Sequence, residues 1–446
     1  MPSVRQNATR GVIWIFAGFT LNQSIRLAAN LLLTRLLVPD MFGLMALVNV
    51  FIMGLQLFSD IGIGPSIIQN RKGESPEFYN TAWTIQVMRG AMLWLGSLIL
   101  AWPISLFYGK KELLWLIPIV AFSSVISGFN STSLFILNRR IAIARLTLLN
   151  LCTQICSTAV IIAWAVFSPT IWALVAGSLI SSLTKSLLSH RLMPEMKNRF
   201  AWNRSCAREI FSFGKWIFIS TAMTFLASQS DKLIMGKLFT FKMLGIFTIA
   251  LFISDIPKML ITRISNIIIF PVISKFNDLP RKELRIKILR KRRIILIGLG
   301  ILVMILTCFG DLFILRLYDK RYAQAAWMLP VLAIGIWPYL LSLSINKALF
   351  AIGKPRYHAY GNFLKFIYIF IGLPMGFYLW GIPGAVAVVA SNDIPLYISV
   401  NHGLRREGLS GIRQDIHATL LLVICIAAVC WMRIWLGFGH PFSQIP

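Results

Sequence analysis

The sequence predicts an all-α, polytopic membrane protein. Apolar stretches long enough to cross a bilayer recur along its whole length, and a spanning helix needs roughly 20 such residues. The 446 residues are 57% hydrophobic and only 13% charged, with a mean hydropathy of +0.73. Basic residues collect in alternate connections, as they do on the cytoplasmic side of membrane proteins. A soluble chain of this length would form about two or three domains with polar surfaces, and too few polar residues are present to cover them. A closed barrel would show ten-residue alternation; the apolar runs here are continuous.

The expected spans are 11–33, 41–60, 81–107, 112–137, 146–167, 170–189, 213–232, 244–270, 293–315, 325–350, 360–380, 382–401 and 416–437. Arg5 and Arg10 followed by a long apolar run resemble a signal peptide, but the run is too long and no small-residue cleavage site ends it. The first run is therefore expected to be an uncleaved helix. Pro383 and Pro395 interrupt the twelfth span.

With the N-terminus in the cytoplasm, the inside connections hold Arg71 and Lys72, then Arg139, Arg140 and Arg145, then the tract from Arg191 to Arg208. The densest is the connection around 271–292, which reads Lys275 to Arg293 with apolar Leu284, Ile286, Ile288 and Leu289 between its charges. It sets topology or lies as a short interfacial helix on anionic lipid. Later inside connections add Lys354, Arg356, Arg405, Arg406 and Arg413. The outside connections are short and carry fewer basic residues.

A shift that carries Trp14 onto Trp216 also carries Ile15 onto Ile217, Leu31 onto Leu233, Met41 onto Met243 and Gly43 onto Gly245. This suggests two similar six-span lobes, and repeat pairs are common in transporters, which place the substrate site between them. The expected organisation is an N-terminal lobe over 1–190, a basic linker over 191–212, a C-terminal lobe over 213–401 and a further span within 402–446.

Charges at bilayer depth cost at least ~2.5–3.5 kcal/mol and persist where they face protein or a wet interior. Asn22 and Arg26 share one face of the first span, being four residues apart. They line a cavity or make a polar helix–helix contact. Asp255, Lys258 and Arg263 flank Pro257, which would kink the eighth span; Asp255 and Lys258, three apart, read equally as a structural pair. Arg89, Lys347 and Lys365 lie toward the cytoplasmic ends of their spans, where snorkelling is the competing explanation. Asp393 precedes Pro395. The candidate cavity residues are thus Asn22, Arg26, Arg89, Asp255, Arg263, Lys347, Lys365 and Asp393. Most are cationic, which suits an anionic cargo. Asp60, before the turn-rich GIGP at 62–65, reads as a helix-end or loop contact.

The net charge of +28 is dispersed between apolar segments, which argues against a nucleic-acid partner. Cys152 and Cys156 share a helix face but have no further metal ligands at short spacing, so no metal is expected. The chain contains no phosphate-binding GxxxxGK[ST] loop and no nucleophile-elbow serine. No cofactor and no enzymatic activity are expected.

Several stretches carry a family likeness: TRLLVPDMFGL from Thr34, DIGIGPSIIQ from Asp60, QSDKLIMG from Gln229 with LGIF from Leu244, FPVISK from Phe270, and GIPGAVA from Gly381. In this order and spacing the chain resembles the Wzx-type polysaccharide flippases of the multidrug/oligosaccharidyl-lipid/polysaccharide superfamily, over about residues 5–400. The resemblance implies two six-helix lobes in a V around a central cavity. It implies movement of an undecaprenyl-diphosphate-linked oligosaccharide across the bacterial inner membrane by alternating access, beside a polymerase and glycosyltransferases of the same pathway. It carries over no active-site residue. Family members usually have twelve or fourteen spans with both ends inside, whereas thirteen would place the C-terminus outside. Two alternatives remain: a cation-coupled multidrug exporter of the same superfamily, whose cavity should be more acidic, and a membrane polymerase or glycosyltransferase, which should offer a larger loop with an acid–base pair.

Overall fold

A computed structural model describes residues 4–140, 142–269, 273 and 280–442. Among the described residues the regular structure is helical throughout, with no strand. The chain divides into two compact units, Met1–Phe225 and Leu226–Pro446.

The first unit holds α1 (Val4–Leu36), α2 (Pro39–Phe58), α3 (Ile63–Gln69), α4 (Pro76–Tyr108), α5 (Leu113–Gly128), α6 (Ser133–Arg139), α7 (Ile143–Phe167) and α8 (Trp172–Arg191). It also takes the first part of α9 (Arg204–Leu238). The start signals are local. Val38 and Ser75 are extended and precede Pro39 and Pro76, and proline suits a first helical turn because its missing N–H would find no partner there. The long α4 ends at Gly109, whose φ of 66° closes the helix in the left-handed region. Asp60 Oδ1 accepts from Gly62 N at 2.9 Å, a loop contact that leads into α3.

The fourth expected span is broken. α5 and α6 meet at a 64° bend. A break leaves carbonyls without helical donors, and inside a bilayer these must be satisfied by protein. Gln86 on α4 donates to the carbonyls of Ser127 (3.3 Å), Gly128 (2.9 Å) and Asn130 (3.0 Å). Ser189 at the end of α8 accepts from Ser131 N at 2.8 Å, and its carbonyl accepts from the Ser133 hydroxyl at 3.0 Å. α4 can lie this close because Gly90 and Gly128 face backbone of the other helix; a Cβ on Gly90 would sit 2.5 Å from the Ser124 carbonyl oxygen.

Arg139 follows the same logic, donating to the carbonyls of Ile67 and Asn70 at the end of α3. Its neighbour Arg140 pairs with Glu74 on the surface. The Arg140 guanidinium, chiefly through its hydrogen bond, holds the Glu74 carboxyl below its usual range. A carboxylate with a lowered pKa stabilises the fold above its unfolded pKa, and that contribution is lost as pH falls through the lowered value. For so exposed a pair, Glu74→Gln is expected to change stability by no more than about 1 kcal/mol, measured by thermal unfolding at pH 7.

The second unit holds the rest of α9, then α10 (Phe241–Ser254), α11 (Ile256–Ile264), α12 (Arg281–Leu317), α13 (Ala325–Gly335), α14 (Trp337–Ala351), α15 (Arg356–Ser391), α16 (Ile394–Arg406) and α17 (Ile412–Trp435). α12 packs against α13, α14 and α17; α15 packs against α13 and α16. The core joins Leu296, Leu299 and Val303 of α12 with Trp337, Leu340 and Ala348 of α14 and Val400 and Leu404 of α16. α15 is interrupted at Gly381, whose φ of 63° and ψ of −142° are not helical.

Every expected span falls on helix. Residue 270 at the end of the eighth lies outside the described residues, as does the FPVISK motif apart from Ile273. By length and apolarity, seven helical segments qualify as spans among the described residues, or up to nine if each bent pair is one span. That makes the chain a multi-pass membrane protein. Among these seven, α13 with α14 and α15 with α16 each form one continuous segment, Ala325–Ala351 and Arg356–Arg406. α8 falls just short because Lys185 and its serines dilute it. One boundary moves substantially: residues 281–292, read from sequence as connection, form the first three turns of α12. Pro280 opens that helix and Glu283 sits in its first turn, where a negative charge complements the helix dipole.

Candidate functional site: a buried charge cluster at two helix breaks

In the second unit, α10 and α11 meet at a 42° bend at Asp255, with Pro257 in the first turn of α11. α15 gives way to α16 at Asn392 and Asp393, with Pro395 in the first turn of α16. Proline lacks the donor that would continue either helix and is pre-shaped for a first turn. Each break therefore places an acid where a helix would otherwise run on.

The two breaks share lysines. Lys365 of α15 donates from Nζ to Asp393 Oδ1 at 2.5 Å. Lys258 of α11 places Nζ 3.6 Å from Asp393 Oδ2 and 3.9 Å from Asp255 Oδ1. It also lies 4.5 Å above the centre of the Tyr339 ring on α14, a favourable place for a cation. Lys365 and Asp393 are 6% and 3% exposed. Asp231, buried on α9, lies within electrostatic reach of both lysines. Ions removed from water are tolerated only when paired and hydrogen-bonded. Here two ammonium groups meet three carboxylates. The cluster is charge-compensated with an acidic excess, not the cationic patch that counting buried bases suggests.

Three of the sequence-derived candidates, Asp255, Lys365 and Asp393, thus come together, along with Lys258. The others lie elsewhere. Arg89 on α4 donates from Nε to Ser59 Oγ at 2.9 Å and from Nη2 to the Gln56 carbonyl at 2.5 Å, so it closes the C-terminal end of α2. Arg26 reaches Gln23 Oε1 at 3.4 Å within α1, and half-buried Asn22 lies one turn before it. Arg263 is exposed on α11. Lys347 on α14 is half-buried, with its ammonium 5.2 Å above the Phe350 ring.

Two buried ion pairs were not among the candidates, and both join α12 to α17. Arg292 pairs with Asp415 at 2.6 Å and donates to Ser344 Oγ (2.7 Å), the Leu341 carbonyl (2.8 Å) and Gln414 Oε1 (3.2 Å). Tyr397 adds a hydroxyl donor to Asp415 at 3.0 Å. At the other end, Arg433 forms a two-pronged pair with Asp311 and donates to the Cys308 carbonyl. Asp311 and Arg433 lie inside expected spans and, like Arg26, are charges at bilayer depth visible in the sequence. Arg292 is marked by spacing: Leu284, Ile288, Arg292 and Leu296 are buried at four-residue intervals, so the arginine occupies the inward stripe of an amphipathic helix. Among the described residues, no group of three His, Cys, Asp or Glu side chains is arranged to hold a metal ion.

This helical architecture is that of the multidrug/oligosaccharidyl-lipid/polysaccharide transporters. The chain matches the lipid II flippase MurJ in an inward closed conformation with a TM-score of 0.70, covering 94% of this chain and 92% of that one at 13% identity. An inward-facing multidrug transporter of the same superfamily matches with a TM-score of 0.65, over 94% and 98% of the two chains, also at 13% identity. At such identity the likeness is one of fold.

The model of the family described as polysaccharide biosynthesis protein matches residues 32–327, and the chain belongs to that family. The teichuronic acid biosynthesis protein TuaB of Bacillus subtilis is 23% identical over 289 residues, covering 64% of this chain and 59% of its own length. The succinoglycan biosynthesis transport protein ExoT of Rhizobium meliloti is 20% identical over 352 residues, 78% of this chain and 68% of its own. The lipopolysaccharide biosynthesis protein WzxC of Escherichia coli is 19% identical over 277 residues, 62% and 56%. The chain thus spans less than two thirds of the length of two of these three relatives.

Proposed function

We propose that this chain is a flippase that carries a lipid-linked oligosaccharide precursor across the bacterial inner membrane for surface polysaccharide synthesis. One observation carries the reading: a member of the polysaccharide-biosynthesis family holds a compensated charge cluster at two helix breaks within its membrane-spanning region. Helices broken beside ionisable residues suit a transporter that must bend and bind at depth. The names of TuaB, ExoT and WzxC, and the MurJ-like fold, support the same activity.

In this mechanism the sugar and its diphosphate cross along a hydrated path through the membrane-spanning region, while the prenyl tail stays in lipid. Asn22, Arg26, Arg263 and Lys347 meet the anionic head group, and Arg89 holds the end of α2 beside that path. Asp255, Lys258, Lys365 and Asp393 exchange partners as the helices bend. The cycle needs no catalytic residue and no cofactor. The N-terminus is cytoplasmic, and the polymerase and glycosyltransferases of the pathway act before and after the flip.

Deletion of the gene tests this. Lipid-linked repeat units are expected to accumulate on the cytoplasmic leaflet, with surface polysaccharide lost. Unchanged surface polysaccharide refutes the proposal. The path itself is tested by cysteine placed at positions 26 and 347: both are expected to react with a small aqueous thiol reagent, and lack of reaction at either removes that residue from the path.

A further inference from the structure

The second unit contains an apolar groove that neither the charge cluster nor the flipping mechanism uses. It has a volume of about 730 Å³ and runs between α12 and α17, with Trp337 of α14 at its base. Leu296, Ile297, Gly300 and Met304 line one side, and Ala418, Leu421, Leu422 and Cys425 the other. Its chemistry changes along its length. At one end stand Arg293 and Arg413 with His417, all exposed. Neither arginine has an ion-pair partner among the described residues. The two lie together because Gln414 Nε2 donates to the Leu289 carbonyl at 2.9 Å, locking the start of α17 against this part of α12.

From Arg293 to Met304 the groove extends roughly 16 Å at 1.5 Å per residue. The hydrocarbon core of a bilayer is ~30 Å thick, so the groove is about one leaflet deep, with paired cations where head groups lie. Arginine takes phosphate oxygens through its planar fork of donors, and juxtamembrane basic residues favour anionic lipid.

We propose that this groove is a site for one anionic glycerophospholipid, its phosphate held by Arg293 and Arg413 and one acyl chain lying between α12 and α17. The dimensions favour a leaflet phospholipid over a prenyl carrier, whose tail is far longer than the groove. The bound lipid fills the space between the only two helices joined by both buried ion pairs among the described residues, and so supports their packing. The site stands apart from the flipping mechanism and does not depend on it.

Native mass spectrometry of the full chain, released from mild detergent and supplied with phosphatidylglycerol or phosphatidylcholine, tests the site. Wild-type protein is expected to retain one phosphatidylglycerol and little phosphatidylcholine. Arg293→Ala with Arg413→Ala should weaken retention by about tenfold or more, as expected when charge-assisted hydrogen bonds are lost. Gly300→Phe fills the groove without touching the arginines and should also lower retention; a Cβ at Gly300 has ordinary space, 3.8 Å from Trp337. The exposed arginine variant keeps the test decisive even where the phenylalanine disturbs packing. Equal retention by wild type and the arginine variant overturns the proposal, as does equal retention of the two lipids. Recovery of a prenyl phosphate in place of a glycerophospholipid from protein isolated with its native lipid overturns it too.

Discussion

Asp393→Ala is expected to destabilise the protein by about 3–5 kcal/mol, the cost of breaking a buried ion pair and leaving its partner charged, and to abolish export of the polysaccharide. The carboxylate is 3% exposed and is shared by Lys365 at 2.5 Å and Lys258 at 3.6 Å. Its removal leaves Lys365 with no carboxylate in contact and Asp231 within electrostatic reach, whereas Lys258 keeps Asp255 at 3.9 Å. Equilibrium unfolding in mixed micelles measures the first effect and surface polysaccharide the second. The double variant Lys365→Met with Asp393→Leu separates them. Exchanging a buried pair for apolar side chains of similar size is often neutral or stabilising, so most of the stability should return. Export should remain absent, because the exchange of partners at the two breaks is gone. A double variant that regains both would show the cluster to be structural only.

Arg292→Ala is expected to cost a similar amount, about 3–5 kcal/mol, but to act locally on α17. Arg292 is 2% exposed, and its guanidinium ties α12 to α14 through Ser344 and Leu341 and to α17 through Asp415 and Gln414. Without it, Asp415 retains the Tyr397 hydroxyl at 3.0 Å but no countercharge. Hydrogen exchange should accelerate in the first turns of α17 and little in the first unit, because local openings follow local contacts. Unchanged protection of residues 412–420 would show that packing alone holds the helix. Arg292→Met with Asp415→Leu should recover most of the protection.

The helices were legible because each spanning segment must satisfy its own backbone within lipid, which leaves long apolar runs bounded by charge or proline. Asp255 and Lys258 were legible as a pair because three residues along a helix bring side chains together. The partnership of Lys365 with Asp393 was not, since it spans 28 residues and depends on how α15 and α16 fold back on each other. Arg292 was obscured by its neighbours: Arg290, Lys291 and Arg293 made the tract look like a solvated connection. Only the helical phase separates the buried arginine from them. Arg89 read as an interior charge because depth was visible in the sequence, while the open carbonyls at the end of α2 were not.

The polarity of the two pairs between α12 and α17 has a consequence for biogenesis. α12 carries its arginine first and its aspartate about 28 Å later along the axis; α17 carries aspartate first and arginine last, over a similar span. Only parallel insertion, with both helices running in the same direction, matches each charge with its opposite. An inverted last helix would set guanidinium against guanidinium at one face of the bilayer and carboxylate against carboxylate at the other. The charge order thus acts as a checksum on membrane topology: a wrongly threaded terminus cannot dock, and the misassembled chain is left open to quality control.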